Sequence, residues 1–310
     1  MYYPLLRARQ FELISIRELA AEGVIRGYVC PVLEPVKKSL NNLNLANKAL
    51  LDSDQIAYLI VNPLVGELPG DQEYFSSYLH SLERCGYLPA FYYMNNADFI
   101  EHIINKYDFN DCMLICNSNY ADDDRLRDLS ATYPVSRIMV LEPQKNRRLD
   151  RFFKSLGKIY IRLDDAFERQ EKNADFLDIQ AHRFSEEHLF YKEDGYQGFS
   201  DFTVLPSEYS EGGSTPRAVV IHLTYINSEA NNEIWIRHFT SENNGSTANV
   251  QGKFAEAAKK AVNFCDTYPL YNSAIKELRD YYYNRKYPGL GMIKKISIKN
   301  HLLVVTSYLR

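Results

Sequence analysis

The chain has 310 residues, and 36 Lys and Arg against 40 Asp and Glu leave a formal net charge of −4. Hydrophobic residues make up 45% and charged residues 25%, the proportions of an ordinary folded protein, which excludes a disordered or collagen-like chain. The slightly acidic balance also argues against a dedicated nonspecific DNA-coating protein, whose surface would carry a basic excess.

Met1-Tyr2-Tyr3-Pro4 lacks the basic and then apolar pattern of a secretory signal. The most apolar run, 56–65, contains Asn62 and Pro63 and falls well short of the roughly 20 residues that a membrane helix needs. The cysteines (Cys30, Cys85, Cys112, Cys116, Cys265) are odd in number and scattered, which fits reduced thiols. A cytoplasmic protein with no membrane contact is the expectation. The 24 Tyr and 16 Phe suit half-buried surfaces that join an apolar ring to a wet hydroxyl.

Short runs rich in Val, Ile and Tyr predict strands at 2–6, 28–33, 56–61, 88–93, 112–116, 137–141, 159–163 and 199–205. Several are apolar on both faces, as in Ala57-Tyr58-Leu59-Ile60-Val61, the mark of a parallel sheet covered on both sides. Between them, helical spacing predicts helices at 11–20, 71–84, 98–106, 122–131, 146–156 and 173–190. Asp71, Asp98 and Asp122 suit helix N-termini, where a carboxylate meets free amides and the positive end of the dipole. Eight strand–helix units in a row predict a (β/α)8 TIM-like barrel over 1–205. An open doubly wound sheet is the alternative, but its Gly-rich first turn is missing. Val32-Leu33-Glu34-Pro35-Val36-Lys37 and Val140-Leu141-Glu142-Pro143-Gln144-Lys145 share a V-L-E-P-x-K pattern, four units apart, as a half-barrel duplication would place it.

Beyond the eighth strand, 218–226 and 233–240 predict an inserted β-hairpin within 217–240. Helices at 253–265 and 273–283, and at 293–309 either a closing helix or a strand followed by a helix, belong to a closing region at 250–310. No low-complexity linker divides the chain, so one domain is expected. Gly289-Leu290-Gly291 before Lys294-Lys295 reads first as a turn and second as an anion site at a helix start.

Barrel sites lie at the C-terminal strand ends. Those ends carry Arg7 and Arg9, Glu34, Asn62, Tyr93 and Asn95, Asn117 and Ser118, Glu142, Asp164 and Asp165, and Ser200 and Asp201. Clustered carboxylates can share a proton or hold a divalent cation such as Mg2+. Glu34, Glu142 and Asp201 are therefore the candidate catalytic residues. Arg7, Arg9, Asn62 and Asn117 are candidates for binding an anionic substrate, since guanidinium matches phosphate or carboxylate. His222 and His238 would face each other across the hairpin in one register and separate in the next, with Asp201 or Glu211 as a third metal ligand. His80, His102, His182, His188 and His301 fall on helical stretches and read as incidental.

The order of Tyr3-Pro4-Leu5-Leu6-Arg7-Ala8-Arg9-Gln10-Phe11-Glu12-Leu13, Pro31-Val32-Leu33-Glu34-Pro35, Gly198-Phe199-Ser200-Asp201, Glu211-Gly212-Gly213, Ile221-His222-Leu223-Thr224-Tyr225, Arg237-His238-Phe239 and Tyr287-Pro288-Gly289-Leu290-Gly291 resembles the phage "beta protein" family and its bacterial relatives. The resemblance implies a role in phage–host conflict, brings no defined reaction, and points to Arg7, Arg9, Glu34, Asp201, His222 and His238. Two readings follow. One is a metal-assisted hydrolase on a phosphoester, nucleotide or nucleic acid. The other is a non-catalytic recognition subunit that docks a protein partner encoded nearby through its loops and hairpin.

Overall fold

The computed structural model describes residues 1–70, 73–117, 123–211 and 216–310. Asp71, Ser118, Asp122, Gly212 and Gly213, singled out above, lie outside the described residues. The chain forms two compact units, Met1–Asp165 with Glu187–Phe202, and Ala166–Glu186 with Thr203–Arg310.

The first unit runs β1 (Leu5–Leu6), α1 (Gln10–Ala21), β2 (Val32–Leu33), α2 (Asn41–Asp52), β3 (Ala57–Ile60), α3 (Tyr74–Ser81), β4 (Tyr87–Tyr93), α4 (Ala97–Tyr107), β5 (Cys112–Cys116), α5 (Asp123–Thr132), β6 (Val135–Leu141), α6 (Arg147–Ser155) and β7 (Ile159–Asp164). The second unit then contributes α7 (Phe176–Ile179) and β8 (Ala181–Ser185). The chain returns to the first unit for α8 (Glu187–Phe190) and β9 (Gly198–Asp201). The eight strands β1 to β7 and β9 pair in parallel in that order. A parallel bridge between Tyr2 and Phe199 joins the ends, with Tyr3 N donating to Phe199 O at 2.9 Å. The result is the nearly closed (β/α)8 barrel that the strand–helix alternation implies.

The barrel interior holds Tyr3, Leu5, Val32, Tyr58, Ile60, Ala90, Met113, Ile115, Met139, Ile161, Leu163 and Phe202. Alternate residues on each strand point inward, so the interior set has a period of two along every strand. At the seam, Gly198 faces the ring of Tyr3: a Cβ there would lie 2.6 Å from Cε2 and 3.2 Å from Cγ1 of Ile161. All five cysteines are free, and all but Cys85 are buried.

The second unit is built on a three-stranded antiparallel sheet in the order β10 (Val220–Asn227), β11 (Glu233–Thr240), β8. The expected helix over 173–190 is therefore wrong. Gln180 breaks it at φ 43°, and 181–185 pairs with β11, burying Phe184. Sheet pairing outweighs a weak helical pattern there. The helix over 41–52 went unforeseen because its Asn-rich polar face masks Leu43, Ala46 and Leu50, which are buried. Helices α9 (Val250–Thr267), α10 (Ser273–Tyr283) and α11 (Leu290–Leu309) complete the unit. Ile221, Leu223, Tyr225 and Phe239 of the sheet share a core with Phe254, Ala258, Ala261, Ile275, Leu278 and Ile296 of these helices. Within it, the Lys295 ammonium, 2% exposed, donates to both oxygens of Glu277 at 2.7 and 2.6 Å. No helix among the described residues is long and apolar enough to cross a membrane.

Two stability outcomes follow. Gly198→Ala forces a methyl against the Tyr3 ring and is expected to cost about 1–3 kcal/mol, seen as a lower urea midpoint with an unchanged slope. Glu277→Gln leaves a buried ammonium without its counter-charge and is expected to cost about 3 kcal/mol, while Glu277→Gln with Lys295→Met recovers much of the loss.

Candidate functional site

The inward parity of the strands carries on past their ends. Leu5 points into the barrel, and so does Arg7, two residues later; Val32 is followed by Glu34, Ile60 by Asn62 and Ala90 by Tyr92. These four side chains meet at the C-terminal mouth. Glu34 is fully buried. Its Oε2 accepts from Arg7 Nη1 and, at 2.9 Å, from the Tyr92 hydroxyl, and its Oε1 accepts from the Leu64 amide at 2.9 Å. Three donors on one carboxylate favour its ionised form. Arg7 keeps 16% of its side chain exposed and lies over the Phe202 ring at 5.6 Å. Burial pushes the Tyr92 hydroxyl up to about 12, with Arg7 opposing, so it stays protonated at neutral pH. Asn62 fixes the strand that carries this tyrosine: its Nδ2 donates to Tyr92 O at 2.9 Å, and its Oδ1 accepts from Tyr92 N at 2.9 Å.

The other expected residues are not gathered with these. Asp201 follows inward-facing Ser200 and precedes inward-facing Phe202, so it points to the outer face of its strand. There it accepts from the buried Tyr2 hydroxyl at 2.5 Å. Burial and the Asp201 charge hold that tyrosine well above its ordinary value. Asp164 lies opposite Asp201 in register. It is clamped by Arg162 at 2.7 and 3.1 Å, and its pKa is raised, chiefly by burial. Glu142 sits at φ 47° and accepts from Lys145 at 2.7 Å. The V-L-E-P echo thus aligns in sequence but not in space. Val32 points inward on β2, whereas Met139 and Leu141 do so on β6, a one-residue slip that turns Glu142 away from the interior while Glu34 enters it. Arg9 caps α1, its amide donating to Glu12 at 3.3 Å, and Asn117 is exposed beyond β5. Tyr92 was missed in sequence, although its spacing from Ala90 marks it as inward-facing.

A second polar group lies in the other unit. His222 and His238 are directly opposed in register, and His182 on β8 lies opposite Ile236, diagonal to His238. All three therefore share one face of the sheet. His182, read as incidental on a helix, is the third member. His222 Nδ1 is 2.7 Å from His238 Nδ1, and His238 Nε2 is 3.1 Å from His182 Nε2. Phe167 and Phe176 pack on these rings, with Phe176 4.3 Å from that of His238. Burial holds His222 down at about 3 and His238 at about 2. Among the described residues no group of three or more His, Cys, Asp or Glu is arranged to hold a metal ion.

No protein-family model matches the chain, and no curated protein matches its sequence. The functional reading therefore rests on geometry.

The histidines make acid stability a direct check. Unfolded, they bind protons below about 6.5; folded, His222 and His238 resist protonation until about 3 and 2. The unfolded chain holds more protons in that window, so stability falls as pH drops from about 6.5 towards 3. Denaturant titrations across this range should show a shallower acid loss for His222→Phe with His238→Leu than for the natural sequence.

Proposed function

We propose that the protein is a barrel hydrolase that takes an anionic phosphoester at the mouth of its first unit, with Arg7 as the anion-binding group and Glu34 and Tyr92 as the proton-handling pair. The observation that supports this most is the inward-facing Arg7–Glu34–Tyr92 network at the C-terminal strand ends, the place where barrels of this kind work. A phosphate oxygen reaching Arg7 competes with Glu34 for the guanidinium. Glu34 is then freed to take a proton from water. The water oxygen bonds to phosphorus, the ester P–O bond breaks, and the Tyr92 hydroxyl, kept neutral by burial, protonates the leaving oxygen. The 2.9 Å hydrogen bond between the two side chains returns the proton from Glu34 to Tyr92. Glu142 and Asp201 have no part in this cycle, and no step requires a metal.

The resemblance to the phage beta protein family supplies a setting, phage–host conflict in the cytoplasm, for the same reading. The docking alternative has less behind it. One edge of β11 pairs with β10 and the other with β8, and α11 lies along β10, where Asn300 Nδ2 donates to Thr224 O at 2.9 Å. The outer strand β10 is thus partly occupied from within its own unit, the Tyr268 hydroxyl also donating to Ile226 O, which leaves a partner chain less edge to pair with.

Arg7→Gln is expected to weaken binding of inorganic phosphate and of phenyl phosphate about tenfold or more, the worth of one charge-assisted contact. Glu34→Gln should leave phosphate bound and lower turnover of p-nitrophenyl phosphodiesters. Unchanged phosphate affinity in a folded Arg7→Gln protein would falsify the reading.

A further inference from the structure

The three histidines have a direction. His182 Nδ1 lies 2.9 Å from the Arg183 carbonyl and 3.6 Å from Glu168 Oε1, both acceptors only, so it carries a hydrogen. In a neutral ring His182 Nε2 must then accept, and His238 Nε2 donates to it. His238 Nδ1 in turn accepts, and His222 Nδ1 donates. His222 Nε2 is left as the bare nitrogen, with no hydrogen-bond partner among the described residues. A proton added at His222 Nε2 reverses every bond in the chain, and a proton can then leave from His182 Nδ1.

His222 also lines a cleft of about 400 Å³ within the second unit. Phe167, Phe176, Leu205 and Ile293 give it apolar walls, and Arg169, ion-paired with Glu208, and Lys294 place cationic groups on it. Leu290, Ile293, Lys294 and Ser297, spaced along one side of α11, form the wall that this helix gives the cleft. Such a cleft suits a small molecule with an aromatic or apolar body and a negative group.

We propose that this cleft is a second ligand site, independent of the barrel mouth, in which His222 acts as general base on a hydroxyl-bearing aromatic anion while His238 and His182 relay the charge. The ligand's hydroxyl proton goes to His222 Nε2. The Nδ1 proton of His222 passes to His238 Nδ1, and the Nε2 proton of His238 passes to His182 Nε2. His182 ends doubly protonated beside Glu168, and the ligand oxyanion stays in a cleft lined by Arg169 and Lys294. No other atom is exchanged. Burial keeps His222 and His238 in the neutral, accepting form at neutral pH. The charged groups around the relay are Glu168 at His182, Arg169 with its ion-pair partner Glu208 and Lys294 at the cleft, Arg183 on β8, ion-paired with Glu186 at 3.2 Å, and Arg237 on β11, which faces Phe264 instead.

Nitrogen-15 spectra of the intact, histidine-labelled protein at neutral pH test the relay without any substitution. The expected tautomers are Nδ1–H for His182 and His222 and Nε2–H for His238; an Nε2–H tautomer at His222 overturns the proposal. Adding 4-hydroxybenzoate should shift the His222 Nε2 resonance, in the natural protein and in Arg7→Gln alike. Arg169→Gln with Lys294→Met should raise the concentration needed about tenfold. A His222 resonance that ignores the probe, or a response lost in Arg7→Gln, sinks the second site while leaving the barrel-mouth reading to its own phosphate test. His182→Phe keeps a ring and removes both nitrogens, so His222 should then appear as a mixture of tautomers; a single unchanged tautomer shows that no relay exists.

Discussion

On a barrel strand a side chain has two places to go, into the central core or out towards the helices, and its parity decides between them. In the first unit that parity is set by the seam. Tyr3 N on Phe199 O and the buried Ser200 hydroxyl on Tyr3 O, at 2.9 and 2.5 Å, fix how the last strand meets the first. Once Tyr3 is inward, Leu5 and Arg7 follow; once Phe202 is inward, Asp201 is outward with Tyr2. A slip of one residue at the seam would exchange Arg7 for Ala8 and Asp201 for Ser200 or Phe202. The polar network at the mouth is thus a consequence of backbone register before it is a matter of side-chain chemistry.

The same constraint sorts the carboxylates by what they can do. Glu34 is buried but faces a mouth, and its partners are an arginine with some exposure and a tyrosine, so a ligand has something to compete for. Glu142 and Asp164 are bound to cations of their own neighbourhood, Lys145 and Arg162. Asp201 answers a buried tyrosine hydroxyl. Removing water from Asp164 favours its neutral form, and the Arg162 guanidinium opposes this. Each of these acids thus answers a side-chain donor outside the barrel interior.

Strand positions were legible because eight apolar runs at regular spacing leave little choice of architecture. Which face each strand-end residue takes was not, because the ends of the runs were read without carrying the period-two count past them. Counting from Ile60 and Ala90 would have singled out Asn62 and Tyr92 together; the same count would have turned Glu142 and Asp201 outward. The repeat V-L-E-P-x-K misled for a related reason, since similarity of letters does not conserve parity. The segment 173–190 failed differently. Its charged residues are spaced well enough for a helix, and only the edge of β11, distant in sequence, explains why 181–185 becomes a strand.

That third strand changes the chemistry of the second unit. Two opposed histidines on a hairpin make an isolated pair that either tautomer satisfies. Adding His182, with its Nδ1 against two obligate acceptors, removes the freedom: one end of the chain is pinned, and the pin is transmitted through His238 to the far nitrogen of His222. Burial by Phe167 and Phe176 raises the cost of a charge resting on the inner rings, whereas His182 sits beside Glu168 and the solvent. A positive charge entering at His222 is therefore drawn outward along the sheet face. The directionality comes from where the strands put three rings relative to one carbonyl, and it would vanish if the register between β8 and β11 moved by a single residue.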